Sequence, residues 1–250
     1  QGPLSEDLMA KLAGEELRDV PFYGLMETNI KGADVVISQT GFTGEKGYEI
    51  YVRDAHENAE IVWNAVVEAG EEFGLMVIAP AHHRRIAAGI LSWGQDLDHE
   101  TSPFQVNLSY QVPRNKEADY IGKAELERQR DVIDKGDFPF KMRMVGLTFG
   151  GKEITDYAPD FWLIADTEGN DMGYITSPWW SPELNTNIAL GWVPSASSEI
   201  GTKLQVRLPD EYSESSGVPV EGEIVDVPFR ESVNPNKREV QKAKGLDYAD

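Results

Sequence analysis

A glutamate that directly follows a glycine-rich loop is the side chain best placed to do chemistry in this sequence. Gly41, Gly44 and Gly47 stand three residues apart, and Glu49 comes two residues after the last of them. Glycines adopt positive φ angles and leave room for another group to approach the backbone. A carboxylate held at that point can accept two parallel N–H bonds from a flat ligand. The alternative is a glycine-rich hairpin with a solvated Glu49, and spacing alone favours that alternative.

Apolar runs flank this loop and predict a strand, a tight turn and a second strand. Val35, Val36 and Ile37 precede the glycines, and Ile50, Tyr51 and Val52 follow Glu49. This alternation around glycines is typical of a hairpin. A phosphate-binding loop leads from a strand into a helix, whereas this loop leads back into a strand. The pattern therefore favours a surface against which a flat ligand lies, and it disfavours a phosphate-binding site.

The densest cationic cluster of the chain consists of His82, His83, Arg84 and Arg85. Pro80 is placed to open a helix that carries Arg85 and Trp93 and ends at Gly94. Such a cluster at a helix N-terminus binds an anionic ligand group, or else it is a solvated basic patch; the two are equally favoured. A metal site is disfavoured because adjacent histidines point about 100° apart on a helix.

Composition narrows the classes of function. The 250 residues carry a net charge of −20, and no cysteine is present. The charge argues against nucleic acid or an anionic membrane as a partner, and the lack of cysteine excludes disulfides and thiolate ligands. No apolar run reaches the ~18 residues of a membrane span. We expect a cytoplasmic protein, and the acidic excess suggests adaptation to a salty cytoplasm.

The chain divides into two parts of different character. Residues 1–126 mix helical and strand patterns, residues 127–141 are charged and irregular and predict a linker, and residues 142–250 contain short β-type runs followed by a polar tail. About six such runs separated by turn residues predict a small closed antiparallel barrel. The expected fold class is therefore α+β, with a C-terminal antiparallel β-barrel.

Four stretches resemble the signature motifs of the glycine-cleavage T-protein family, and they occur in the family's order. They are QGP at residues 1–3, TGFTGEKGYEIYV at 40–52, AGILSWGQDLD at 88–98 and SPWWSPELNTNIALGWV at 177–193. The family comprises tetrahydrofolate-dependent aminomethyltransferases and demethylases. The resemblance implies a partial folate-binding core, then the barrel, with tetrahydrofolate in a channel between them.

The resemblance also carries over site residues. Glu49 matches the glutamate that grips the pterin, Phe42 an aromatic that lines the folate site, and Arg85 the arginine of a helix motif. The full set that we expect to bind the cofactor is Glu49, Phe42, Tyr48, Arg85, Trp93 and Arg230. No metal ligand is expected.

The departures from the family pattern concern the same helix and the start of the chain. Ala87 stands where the helix motif has glutamate, and residues 79–82 read Ala-Pro-Ala-His where typical members have Gly-Ala-Arg-Asp. This form is more similar to the dimethylsulfoniopropionate demethylase-like branch. The first third of the family pattern, which carries the usual catalytic aspartate, has no counterpart here. The resemblance therefore implies a missing N-terminal segment or a partner chain, and it leaves the catalytic residue unknown.

By resemblance, the expected activity is transfer of a one-carbon unit from a small donor to tetrahydrofolate. The alternative is a non-catalytic folate-binding module of a larger demethylase or flavoprotein. The sequence leaves open which donor is used, whether the unit is methyl or aminomethyl, and which oligomer forms.

Overall fold

The computed structural model of the protein describes residues 1–80 and 82–229. Within these residues the chain forms two compact units, Gln1–Arg84 and residues 85–229. Each unit has a hydrophobic core of its own.

The first unit is a three-stranded antiparallel sheet with helices on one face. Its strands are β1 (Leu25–Ile30), β2 (Ala33–Ser38) and β3 (Glu49–Val52), with β2 in the centre; its helices are α1 (Ser5–Ala13) and α2 (Ala55–Gly70). Alternate strand residues such as Ile30, Val35 and Ile37 share a buried cluster with Leu8 of α1 and Val62 of α2. The period of two in the strands gives the sheet one buried face and one open face.

The second unit is built around a closed barrel of six antiparallel strands, in the order β4-β7-β6-β5-β8-β9. The strands are β4 (Met142–Phe149), β5 (Trp162–Ala165), β6 (Asp171–Ser181), β7 (Thr186–Pro194), β8 (Lys203–Val206) and β9 (Val220–Val225). Closure pairs β9 with β4 and leaves no free edge. The predicted barrel and α+β class are confirmed.

Residues 85–141 pack against the outside of this barrel. They contain α3 (His82–Ala87), which begins in the first unit, and α4 (Lys123–Asp134). Ile86 and Val106 share a buried cluster with Met144, Leu190 and Trp192 of the barrel. The boundary between the two compact units therefore lies after Arg84, upstream of the linker predicted at residues 127–141.

Two local expectations differ from the structure. The helix predicted to run from Pro80 to Gly94 ends at Ala87, because Gly89 takes a positive φ of 68° and turns the chain. The predicted linker is helical as far as Asp134, where Arg114 donates two hydrogen bonds to the carboxylate of that residue. Helix α4 carries few apolar residues, and its periodicity is correspondingly weak in the sequence.

Among the described residues, none of the helices has both the length and the apolar character that crossing a bilayer demands. The same residues contain no group of three or more His, Asp or Glu side chains arranged to hold a metal ion.

Candidate functional site

The open face of the three-stranded sheet carries Glu49. Side chains alternate along β3, so Ile50 points to the helices while Glu49 and Tyr51 lie on the open face. Across the sheet Glu49 is level with Ser38 and Leu25, and the side chain of Leu25 is 63% exposed. The result is a solvent-facing carboxylate beside apolar surface, which suits one polar edge of a flat ligand.

The loop between β2 and β3 holds Glu49 through a side-chain contact. The Thr40 hydroxyl donates a hydrogen bond to Glu49 Oε2. Phe42 lies in the same loop and is 44% exposed. Glu49 and Phe42 are thus two residues of one loop-and-strand segment, and both remain accessible to a ligand.

The glycine loop closes around the side chain of Gln1. Gln1 Nε2 donates to the carbonyl oxygens of Thr40 at 3.3 Å and Tyr48 at 3.2 Å, and Gln1 Oε1 accepts from Thr43 Oγ1 at 3.0 Å. A Cβ atom placed on Gly41 or Gly47 would overlap this carboxamide. The space left by these two glycines is therefore occupied by Gln1.

Tyr48 faces the interior, opposite to Glu49. Its side chain is buried, its hydroxyl accepts a hydrogen bond from Gln39 Nε2 at 3.3 Å, and it donates to Glu6 at 3.4 Å. Burial raises the pKa of the Tyr48 hydroxyl. Its contacts anchor the loop to the core, and the structure places it apart from the face that carries Glu49.

A charged cluster surrounds this buried tyrosine. Lys46 forms an ion pair with Glu6, and Arg18 donates to the same carboxylate at 3.2 Å. The Lys46 hydrogen bond, with help from Arg18, lowers the pKa of Glu6 against the opposing effect of desolvation. Glu6 therefore remains a carboxylate at neutral pH, and it ties α1 to the glycine loop.

A cleft of about 410 Å³ opens beside the loop within the first unit. Its wall includes Gln1, Tyr48 and Ile50, and its apolar side includes Phe73 and Met76. Neither Glu49 nor Phe42 lines it, and the side chain of Glu49 lies on the opposite face of β3. The open sheet face and the cleft are separate features of the first unit.

Arg85 lies in the second unit, where the structure buries it. Its side chain and that of Asp96 are 1% and 0% exposed, and Nη1 stands 2.8 Å from Asp96 Oδ2. Arg85 Nη2 also donates to Ser177 Oγ at 2.8 Å. The guanidinium is therefore enclosed by protein groups, unlike its neighbour Arg84, which is exposed and pairs with Glu45.

Asp96 is the centre of this buried network. Its Oδ1 accepts hydrogen bonds from Thr176 at 2.6 Å and Ser177 at 2.5 Å, and its Oδ2 accepts one from the Ser92 N–H at 2.8 Å. Trp192 Nε1 donates to the Asp96 carbonyl at 3.0 Å. These bonds join the motif at residues 88–98 to the motif at residues 177–193.

The remaining predicted residues are in different settings. Trp93 is 68% exposed and lies in a short bridge with Leu97 instead of in a helix. Arg230 lies outside the described residues.

Sequence reasoning missed Gln1 and Glu6 as residues that organise the glycine loop, and it missed the pairing of Asp96 with Arg85. Gln1 and Glu6 hold the glycine loop, and Asp96 holds Arg85. The signal for Gln1 was present, since the QGP motif and the glycine motif both stood out. Nothing in the spacing showed that one packs inside the other, because the two are about forty residues apart.

Two family models match this chain and agree with the architecture. The GCVT N-terminal domain matches residues 1–116, and the glycine cleavage T-protein C-terminal barrel domain matches residues 143–229. Together they account for both the sheet that carries Glu49 and the six-stranded barrel. The chain belongs to the glycine cleavage T-protein family.

Individual relatives carry two kinds of name. The chain is 33% identical over 210 residues to the dimethylsulfoniopropionate demethylase of Ruegeria pomeroyi. The aligned region covers 84% of this chain and 54% of that protein. The chain is 32% identical over 231 residues to the aminomethyltransferase of Saccharopolyspora erythraea, covering 92% and 58%. Both names belong to enzymes of one family.

A solved structure shows the same fold. The crystal structure of the glycine cleavage system aminomethyltransferase T from Bartonella henselae aligns with a TM-score of 0.68 at 24% identity, over 92% of this chain and 58% of that chain. The present chain thus spans little more than half the length of the relatives that it matches.

Proposed function

We propose that this chain is part of a tetrahydrofolate-dependent enzyme that transfers a methyl or aminomethyl unit from a small donor to the cofactor. The observation that carries the proposal is the match of both family models in order along the chain, with Glu49 on an open face of the first unit. The relatives of both names support an enzyme over a non-catalytic binding module.

The acceptor oxygens of Glu49 fit the polar edge of a pterin. That edge offers a ring N–H and an amino group side by side, and a carboxylate accepts both at once. Glu49 lies on the open face and Thr40 restrains its carboxylate. We propose that Glu49 binds the pterin edge and that Phe42, exposed in the same loop, contacts the ring system.

Tetrahydrofolate, when bound, supplies a nitrogen nucleophile that accepts the one-carbon unit. The described residues of this chain contribute binding and orientation: Glu49 fixes which edge of the ligand faces the sheet, and the Gln1 and Glu6 contacts fix the loop behind it. Orientation of this kind converts a bimolecular encounter into an effectively unimolecular step.

The other predicted site residues lie in different surroundings. Tyr48 supports the loop from the core side, and Arg85 is enclosed by Asp96 and Ser177, so for both we propose indirect effects on binding. Trp93 is exposed, and we propose that it contacts the ligand from the second unit. We propose Arg230 as a further ligand contact on the basis of the family resemblance alone.

The nature of the transferred unit is tested by product analysis. Full-length protein is incubated with tetrahydrofolate and either dimethylsulfoniopropionate or an aminomethyl donor, and the folate product is identified by mass spectrometry. A methyl transferase yields 5-methyltetrahydrofolate, and an aminomethyltransferase yields the 5,10-methylene form. Absence of both products with every donor would contradict the proposed activity.

The proposal includes a cytoplasmic location. The net charge of −20 supports it, since an acidic surface suits a salt-containing cytoplasm. Fractionation of the source cells with an antibody to this chain tests it directly.

A further inference from the structure

We propose that Gln1 is a positioning residue of the site: its carboxamide fixes the loop at residues 40–48 and thereby the direction of the Glu49 carboxylate. This inference rests on the proposed function in one respect only, namely that Glu49 binds the cofactor. The placement of Gln1 itself is independent of any ligand.

The contacts form a continuous chain from Gln1 to Glu49. One nitrogen, Gln1 Nε2, donates its two hydrogens to the carbonyl oxygens of Thr40 and Tyr48, at 3.3 and 3.2 Å. Thr40 in turn donates its hydroxyl to the Glu49 carboxylate, and Tyr48 is the residue directly before Glu49. A single amide therefore sets the distance between the two residues that flank the carboxylate in space and in sequence.

The space that Gln1 occupies accounts for two of the glycines in the loop. At Gly41 and Gly47 the three nearest atoms to an added Cβ all belong to the Gln1 carboxamide and all lie within 2.7 Å, so the carboxamide would have to move out of its hydrogen-bonded position. Neither residue has a positive φ. Space for Gln1, instead of backbone conformation, therefore explains why these two positions are glycine.

The residues that follow Gln1 bind the loop at a further point, Lys46. The Gly2 N–H donates to the Lys46 carbonyl at 2.8 Å, and Ser5 Oγ donates to the same oxygen at 3.0 Å. The Lys46 side chain pairs with Glu6 of α1. The QGP turn and the start of α1 thus bind the loop at several points, and the contacts of Gln1 are the ones nearest to Glu49.

The first test is a double-mutant cycle on ligand affinity in the full-length protein. Gln1→Glu preserves the side-chain length but places a carboxylate oxygen against two carbonyl oxygens, so both hydrogen bonds are lost. We expect the Kd for tetrahydrofolate, measured by calorimetry, to rise about tenfold or more. In a Glu49→Gln background the same change is expected to raise Kd by no more than about twofold, because the group that Gln1 positions is already altered.

A control and a contrary outcome complete this test. Gln111→Glu makes the same chemical change at an exposed position of the second unit, and it is expected to leave Kd unchanged. A merely structural role for Gln1 would weaken binding by the same factor whether or not Glu49 is present. Such additivity, or an unchanged Kd for Gln1→Glu, would overturn the inference.

The second test needs no ligand. Gly47→Ala is expected to lower the melting temperature of the parent protein by about 5 °C or more, because the new methyl group meets the Gln1 carboxamide. In a Gln1→Ala background the same substitution is expected to cost no more than about 2 °C, since the space is then free. Equal losses in both backgrounds, or no loss in the parent, would show that Gln1 does not fill the loop.

The two tests separate this inference from the proposed function. If the parent protein binds no tetrahydrofolate, the proposed function fails, and the size exchange at Gly47 still decides where Gln1 lies. If the parent binds tetrahydrofolate and Gln1→Glu binds it equally well, the positioning role fails while the proposed function stands.

Discussion

Two neighbouring arginines, Arg84 and Arg85, show at the scale of single residues how environment decides role. Arg84 is exposed and its pair with Glu45 is open to solvent, whereas Arg85 and Asp96 are almost entirely buried. An exposed pair contributes little because water and salt screen it. Breaking a buried pair leaves an uncompensated charge in a medium that solvates it poorly.

Arg85→Met is therefore expected to destabilise the second unit by about 3–5 kcal/mol, because Asp96 would keep its buried charge without its cationic partner. Arg84→Met is the matched control and is expected to cost no more than about 1 kcal/mol. Urea denaturation followed by tryptophan fluorescence measures both. Equal midpoints for the two variants would show that the buried pair contributes no net stability.

At Glu49 the expected effect is on binding instead of stability. Glu49→Gln keeps the shape but replaces one acceptor oxygen by a donor that would face a ligand donor. We expect tetrahydrofolate affinity to fall at least about tenfold, near 1.4 kcal/mol, with little change in melting temperature. Calorimetry on the full-length protein measures the affinity.

The control for Glu49 lies on the same open face of the sheet. Glu27→Gln removes the same charge from strand β1 at a position that pairs with Arg53, and it is expected to leave the affinity within about twofold. Equal affinity of the parent and Glu49→Gln would remove Glu49 from the site and leave the hairpin as scaffold.

Residue type and spacing indicated Glu49, the family resemblance added Phe42, and the structure leaves both accessible. Residue type and spacing did not reveal that Arg85 is buried, because four consecutive basic residues look alike in sequence while a helix turns only one of its faces inward. Nor did they reveal Asp96 as its partner. The burial of both depends on barrel strands that follow some eighty residues later.

At the scale of elements, β7 is the strand on which the second unit depends. Ala189 and Val193 face the barrel interior, and Ile188, Leu190 and Trp192 face the cluster outside the barrel. A strand buried on both faces tolerates little change in its spacing to its neighbours. Strand β6 approaches it closely at Gly173, where a Cβ would overlap the carbonyl oxygen of Trp192.

Gly173→Ala is accordingly expected to destabilise the barrel by about 1–3 kcal/mol, since β6 must move away from β7 to admit the methyl group. Gly150→Ala is the matched control: no positive φ applies there, and the nearest atom to its Cβ is Val220 Cβ at 4.0 Å. That variant is expected to change stability by no more than about 0.5 kcal/mol. Similar urea midpoints for both variants would contradict the close approach of β6 and β7.

The barrel strands could be predicted because each is a short apolar run bounded by turn residues, as in β4. The end of α3 at Ala87 could not be predicted, because Ile90 and Trp93 continue the helical spacing although Gly89 turns the chain. The local sequence pattern indicates only which residues are apolar. The close approach of Val227 to Gly89, at the turn that follows α3, joins residues that lie far apart in sequence.

At the scale of the whole molecule, the dominant feature is the imbalance of 43 acidic against 23 basic residues. A large net charge of one sign destabilises the compact state through self-repulsion. Salt weakens that repulsion, because the Debye length falls from about 10 Å at 0.1 M to about 3 Å at 1 M. Exposed ion pairs such as Lys203 with Glu223 are weakened as well, but each contributes little.

The melting temperature is therefore expected to rise between 0.1 and about 2 M KCl, because relief of repulsion among the carboxylates outweighs the loss of surface ion pairs. A variant with Glu16→Gln, Glu60→Gln and Glu117→Gln, all at exposed positions, removes three negative charges and is expected to show a smaller rise. Differential scanning calorimetry of both proteins across the salt series measures the effect. A fall in melting temperature with added KCl would mean that attraction between opposite charges stabilises this fold more than like-charge repulsion destabilises it, and it would rule out the salt adaptation inferred from the composition.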